Sequence, residues 1–183
     1  MPDPSPSRPL PGSLARVVWV VRALCVLGVL TLLAVPPWFW LSADNVRTLG
    51  PALAGVSDVV VDAGTQRIGA AVSVLPVAVG LYALWQLWQL FGEYAAGRVF
   101  GLAAVQRLRR FAWALLGAAL LAPLVRAVMS VVLTVGNPPG QRMLVIGFSW
   151  NDYLAVLLAA VLIAIATVMA EAARVAEENA GFV

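Results

Sequence analysis

Histidine is absent from this 183-residue sequence, and so is lysine. Without imidazole there is no histidine-based metal or haem ligation and no histidine general base. The one cysteine, Cys25, lies inside an apolar run, so no intrachain disulfide can form and the thiol reads as a small hydrophobe. The bulky Leu24 before it, with no small-residue processing site, argues against lipid modification. Charge is scarce as well: 11% of residues are charged and 62% are hydrophobic. A soluble domain is nearer to about a quarter charged and half apolar. A chain this short cannot bury so much apolar surface in a water-soluble core, and bilayer hydrocarbon is the natural solvent for the excess. The twelve basic residues are all arginine and the net charge is +3. They are scattered beside apolar runs and form no basic stripe, which argues against direct nucleic-acid binding. No Gly-rich phosphate loop, serine-nucleophile motif or acid pair at metal-ligand spacing appears, so the sequence points to no cofactor and no catalytic constellation.

What the sequence does contain is four long apolar segments. Residues 1–13, "MPDPSPSRPLPGS", are rich in proline and are expected to be a disordered tail. Residues 14–183 are expected to be a single four-helix transmembrane domain. Its spans lie near 17–37, 68–92, 111–135 and 153–171. Nineteen residues from Val17 reach about 28 Å, enough for a ~30 Å hydrocarbon layer. Pro36-Pro37 is expected to stop the first helix, with Trp38 and Trp40 in an interfacial aromatic belt. A cleaved signal peptide ending at "LSA" is the alternative for this segment, but the run is too long and too rich in tryptophan. Asn151 or Asp152 is the expected N-cap of the last span. The fold class is therefore an all-α membrane protein, a four-transmembrane-helix bundle.

Arginine placement sets the expected orientation. Arg8 and Arg16 flank the first span, and Arg98, Arg107, Arg109 and Arg110 sit between spans two and three. The other two links carry Arg47 and Arg67 against Asp44, Asp58 and Asp62, and Arg142 alone. Both termini and the middle link are expected in the cytoplasm of a bacterium, with the chain in its inner membrane. If 98–112 is helical, Phe100, Ala104, Val105, Leu108, Phe111 and Ala112 share one side, and Arg98, Gln106, Arg107, Arg109 and Arg110 the other. Such a helix can lie among anionic lipid headgroups before rising as span three. The outer links "SDVVVDAG" and "RMLVIGFSW" are rich in β-branched and aromatic residues, and are expected to form short strands that pair over the bundle.

The stretch "GRVFGLAAVQRLRRFAWALL", from Gly97 to Leu116, resembles the cytoplasmic turn of a widespread bacterial family of small four-span proteins of unknown function. Gly97, Phe100, Leu108 and Arg109 carry the resemblance, as does the acidic ending "AEENAGFV". Ala103 and Ala104 stand where the family commonly has a Glu-Asn pair. The resemblance implies no known reaction. It implies a regulatory partner, because such proteins are often encoded beside small helix-turn-helix regulators.

The candidate residues follow from this frame. A cytoplasmic interaction or headgroup surface would comprise Arg98, Arg107, Arg109 and Arg110 with Glu171, Glu177 and Glu178. The basic and acidic parts would clasp each other or receive a protein partner. Within the spans, Gln86, Gln89, Arg126 and Asp152 are the polar candidates. Arg126 either snorkels to the outer headgroups or pairs inside the bundle, with Asp152 the preferred partner. Arg22 is expected to snorkel to the inner surface. The functional expectation is a non-enzymatic accessory or regulatory membrane protein, in contact with lipid and with a protein partner or further copies of itself. The alternative is a small oligomeric transporter or channel using Gln86, Gln89 and Arg126.

Overall fold

The computed structural model describes residues 12–57, 59–98 and 101–180. The regular elements are five helices: α1 (Gly12–Leu41), α2 (Ala43–Ala54), α3 (Ala63–Ala95), α4 (Leu102–Thr134) and α5 (Trp150–Ala180). All but α2 are long and apolar enough to cross a membrane. In hydrocarbon a helix satisfies its own backbone, so such apolar runs have little alternative to this form. Of the expected tail, Gly12 and Ser13 open α1 and the rest lies outside the described residues.

The helices pack in sequence of neighbours: α1 on α3, α3 on α4, and α4 on α5, with α2 against α4 and α1. Close approach between α1 and α3 is made at glycines. Gly28 faces Leu84, Gly80 faces Leu32, and the Trp40 ring lies directly over Gly69. The falling register makes the pair antiparallel, and small residues permit the contact. Two apolar clusters mark the two ends of the bundle. At the end where α3 turns into α4 (the turn end), Leu90, Ala104, Leu108 and Ala166 pack with Phe91 and Leu162. At the opposite end (the cap end), Trp40, Val46, Ala54, Val56 and Leu133 pack with Val145. In the most apolar stretch of α4, 22% of residues are buried, against 11% in each of the other three spans. The α4 helix is thus the centre of the packing, and most of the remaining span surface faces outward.

Three details differ from the sequence expectation. First, α1 runs through Pro36 and Pro37 to Leu41. The prolines remove the donors that Leu32 and Leu33 carbonyls would use, but their fixed φ is compatible with a helix. The end of α1 is held from outside: Asn45 Nδ2 donates to the Trp38 carbonyl and Gln66 Nε2 to the Trp40 carbonyl, both at 2.9 Å. Second, the link between α1 and α3 contains α2. Ser42 caps it, its side chain accepting from Asn45 N, and Gly55 ends it at φ 70°. Val46, Gly50 and Ala54, spaced by four, form the buried stripe. Third, no strand forms among the described residues, although Asp58 lies outside them. Among the described residues, the segment before α5 forms no ladder with the 57–62 link. It is bound to polar side chains of α4 instead: Ser130 Oγ accepts from Val145 N at 2.9 Å, and Thr134 Oγ1 accepts from Met143 N at 3.0 Å. Asn137 Oδ1, three residues past the end of α4, takes the Val60 N–H at 3.2 Å.

Asp62 opens α3. Its Oδ1 accepts from Thr65 N at 2.6 Å. The Thr65 backbone hydrogen bond, foremost among several, holds this carboxyl below the ordinary carboxylate range.

Candidate functional site

The turn end is built by α3, a short connection and α4. The chain reverses at Gly97, whose φ of 76° suits glycine, and α4 begins at Leu102 after Gly101. Arg98 therefore lies before the helix rather than on it. Its Nε donates to Glu93 Oε2 at 2.7 Å, and that bond pushes the guanidinium pKa further up. Of the helix expected over 98–112, the part from Leu102 onward forms the opening turns of α4, which is continuous to Thr134 and carries the basic residues there. The side assignment within it is as the spacing predicts for Ala104, Val105, Leu108 and Ala112, which are buried, and for Gln106, Arg109 and Arg110, which are exposed. Phe100 lies outside the described residues.

The polar candidates sit in different surroundings. Gln86 is only 2% exposed, and its Oε1 accepts from Arg107 Nη1 at 3.3 Å. Arg107 thus folds back onto α3, while Gln89 is half-buried one turn nearer the connection. Arg109 and Arg110 form no ion pair among the described residues. On α5, Glu171 pairs with Arg174 three residues on. Glu177 and Glu178 lie in the last turns of α5, and their side chains are outside the described set. No ion pair among the described residues joins the arginines of the turn to the acidic end of α5, so the expected clasp is not seen there.

At the cap end, Arg126 Nη2 and Asp152 Oδ2 are 2.6 Å apart, joining α4 to α5. The Asp152 side chain is 8% exposed and that of Arg126 is 34%, so the pair is roofed but not sealed. The helix cap is Ser149 rather than Asn151 or Asp152. Ser149 Oγ accepts from Asp152 N at 3.2 Å, and Asp152 Oδ2 accepts from Ser149 N at 2.7 Å and from its hydroxyl at 2.8 Å. This is a reciprocal capping box with aspartate in the returning position. One carboxylate therefore both caps α5 and anchors the guanidinium of α4.

One feature had no place in the sequence expectation. Ser130, Thr134 and Asn137 form a buried polar stripe at helical spacing, and the spacing alone was the signal. Arg22, expected to snorkel to the inner surface, is placed differently. Its guanidinium carbon stands 5.0 Å from the centroid of the Trp88 ring, so it reaches across to α3. Clefts open along the same α1–α3 seam. One of about 580 Å³ at the cap end is lined by Leu32, Pro36, Trp40, Arg67, Ser73 and Val77 among others. Its inner polar groups are already engaged: Trp40 Nε1 donates to Ser73 Oγ, and Ser73 Oγ to the Gly69 carbonyl, both at 2.9 Å. A second cleft of about 390 Å³ lies nearer the turn end.

Residues 57–181 match the model of a family described as Protein of unknown function (DUF2975). No curated protein and no solved structure matches the chain.

Proposed function

The chain belongs to the DUF2975 family, and from that membership together with its four membrane-length helices we propose a non-enzymatic accessory or regulatory protein of the bacterial inner membrane. It acts through the turn end, which faces the cytoplasm along with both termini. The observation that carries this reading is the state of Arg109 and Arg110. Both are exposed on the opening turns of α4, and neither is in an ion pair among the described residues. Their neighbours Arg98 and Arg107 are already used inside the molecule, by Glu93 and Gln86. Two guanidiniums with no ion pair among the described residues, on a rigid helix, offer a fixed pair of charges to an acidic cytosolic protein. Such complementarity selects the partner more than it raises affinity. The arginine bias of this connection supports the orientation.

The test is mild crosslinking in native membranes followed by purification. A soluble partner that is recovered with the wild type and lost when Arg109 and Arg110 are changed to Glu supports the proposal. Recovery of a self-associated ring alone, carrying a solute flux in liposomes that disappears in Gln86→Ala, overturns it in favour of a transporter.

A further inference from the structure

The seam between α1 and α3 holds a cation with an unmet donor. Arg22 lies on α1 facing the turn-end part of α3. Its Nη2 approaches Gly92, where an added Cβ would stand 3.3 Å away. Its Nε is buried and has no hydrogen-bond partner among the described residues. The indole face of Trp88 attracts the charge but supplies no lone pair for that N–H. No acid among the described residues pairs with Arg22, and the nearby Glu93 is taken by Arg98. An arginine inside a span normally finds an anionic partner or a polar path, and a buried charged donor left without an acceptor is costly.

The space beside it has a definite character. The cleft of about 390 Å³ is lined by Cys25, Val29, Leu81, Leu84, Trp85 and Trp88. Cys25 lies one helical turn from Arg22 on the same face of α1, and Trp88 borders both the guanidinium and the cleft. Val29 and Leu81 carry the apolar wall deeper into the spans. An acceptor at the guanidinium thus continues into an apolar slot, which is the outline of an amphiphile with an anionic head. The bilayer supplies such a molecule at the correct level.

We propose that Arg22, Trp88 and the gap at Gly92 hold the phosphate of an anionic phospholipid whose acyl chain lies in the α1–α3 cleft. The phosphate oxygens accept from the Arg22 guanidinium, a charge-assisted contact that a guanidinium suits better than an ammonium. This lipid is a seated ligand, distinct from lipid gathered loosely by the arginines of α4.

The full-length protein, titrated in detergent with phosphatidylglycerol or phosphatidylcholine and followed by native mass spectrometry, tests the site. The wild type is expected to keep one phosphatidylglycerol per chain in preference to phosphatidylcholine. Arg22→Gln is expected to weaken that binding at least about tenfold, the size of one lost charge-assisted hydrogen bond. Gly92→Val, which fills the gap and keeps the charge, is expected to do the same and carries the test if Arg22→Gln does not fold. Arg47→Gln, on α2 at the other end, is expected to leave binding unchanged. Equal binding by the wild type and both seam variants, or no preference between the two lipids, overturns the proposal. Displacement of the lipid by millimolar inorganic phosphate overturns it too, by assigning the site to a free anion.

Discussion

Gly69 has no side chain, and the Trp40 ring occupies the place where one would be. Gly69→Ala must push the indole aside and break its 2.9 Å bond to Ser73. Overpacking of this kind costs about 1–3 kcal/mol. Thermal melting in detergent measures it, and an unchanged midpoint would show that Trp40 is not seated there. Asp62 gives a pH prediction. Its folded pKa is depressed, so its contribution is present above the ordinary carboxylate range and is lost as pH falls through the folded value. Melting of the wild type between pH 7 and pH 3 is expected to show an acid loss that Asp62→Asn, which caps without titrating, reduces. For Arg126 and Asp152, the double variant is expected to lose less than the sum of the two single losses, because either change already breaks the 2.6 Å contact. Strict additivity in a melting cycle would refute direct coupling. The sequence named Asp152, at the start of the last span, as the preferred partner of Arg126. It did not reveal Ser149 as the cap, because serine, asparagine and aspartate cap about equally well by type and only the turn geometry distinguishes them.

At the scale of elements, the four spans were legible because each is a long apolar run that a helix alone can carry through lipid. The short α2 was not. Gly50-Pro51 reads as a break, yet Pro51 stands well inside the helix and Gly50 is the close contact to Leu133. The outer links illustrate the reverse failure. Among the described residues, their β-branched members lie in neither helix nor strand: a strand needs hydrogen-bond partners, and Ser130 and Thr134 of α4 engage the segment before α5 instead. A side chain of one helix thus competes with a ladder, and local composition does not register that. Thr134→Val is a direct probe. It removes the hydroxyl bound by both the Met143 N–H and the Met143 carbonyl, which are part-buried, at a cost of about 0.5–1.5 kcal/mol. Hydrogen exchange at Met143 and Val145 is expected to accelerate while exchange in mid-α4 does not. Equal acceleration in both places would mean the loss is global rather than confined to the link.

For the whole molecule, an even number of crossings puts the start of α1 and the end of α5 on one side of the membrane. Single cysteines introduced after replacing Cys25 test this in intact cells. Positions 60 and 140 are expected to label from outside, and positions 104 and 178 to remain protected; external labelling at 104 would reverse the orientation proposed above. The order of packing has a further consequence, which concerns synthesis. Among the long helices, α1 makes its main contact with α3. The chain from Leu41 to Ala95 must be made before that contact is complete, 54 residues by subtraction of the two helix ends. At typical elongation rates this is about 3–11 s. Through that interval α1 stands in the membrane without Trp88 over its arginine, and only lipid or translocation machinery can answer the charge of Arg22. The nascent chain therefore meets its lipid before it meets its own third helix, and α3 closes over a seam that is already occupied.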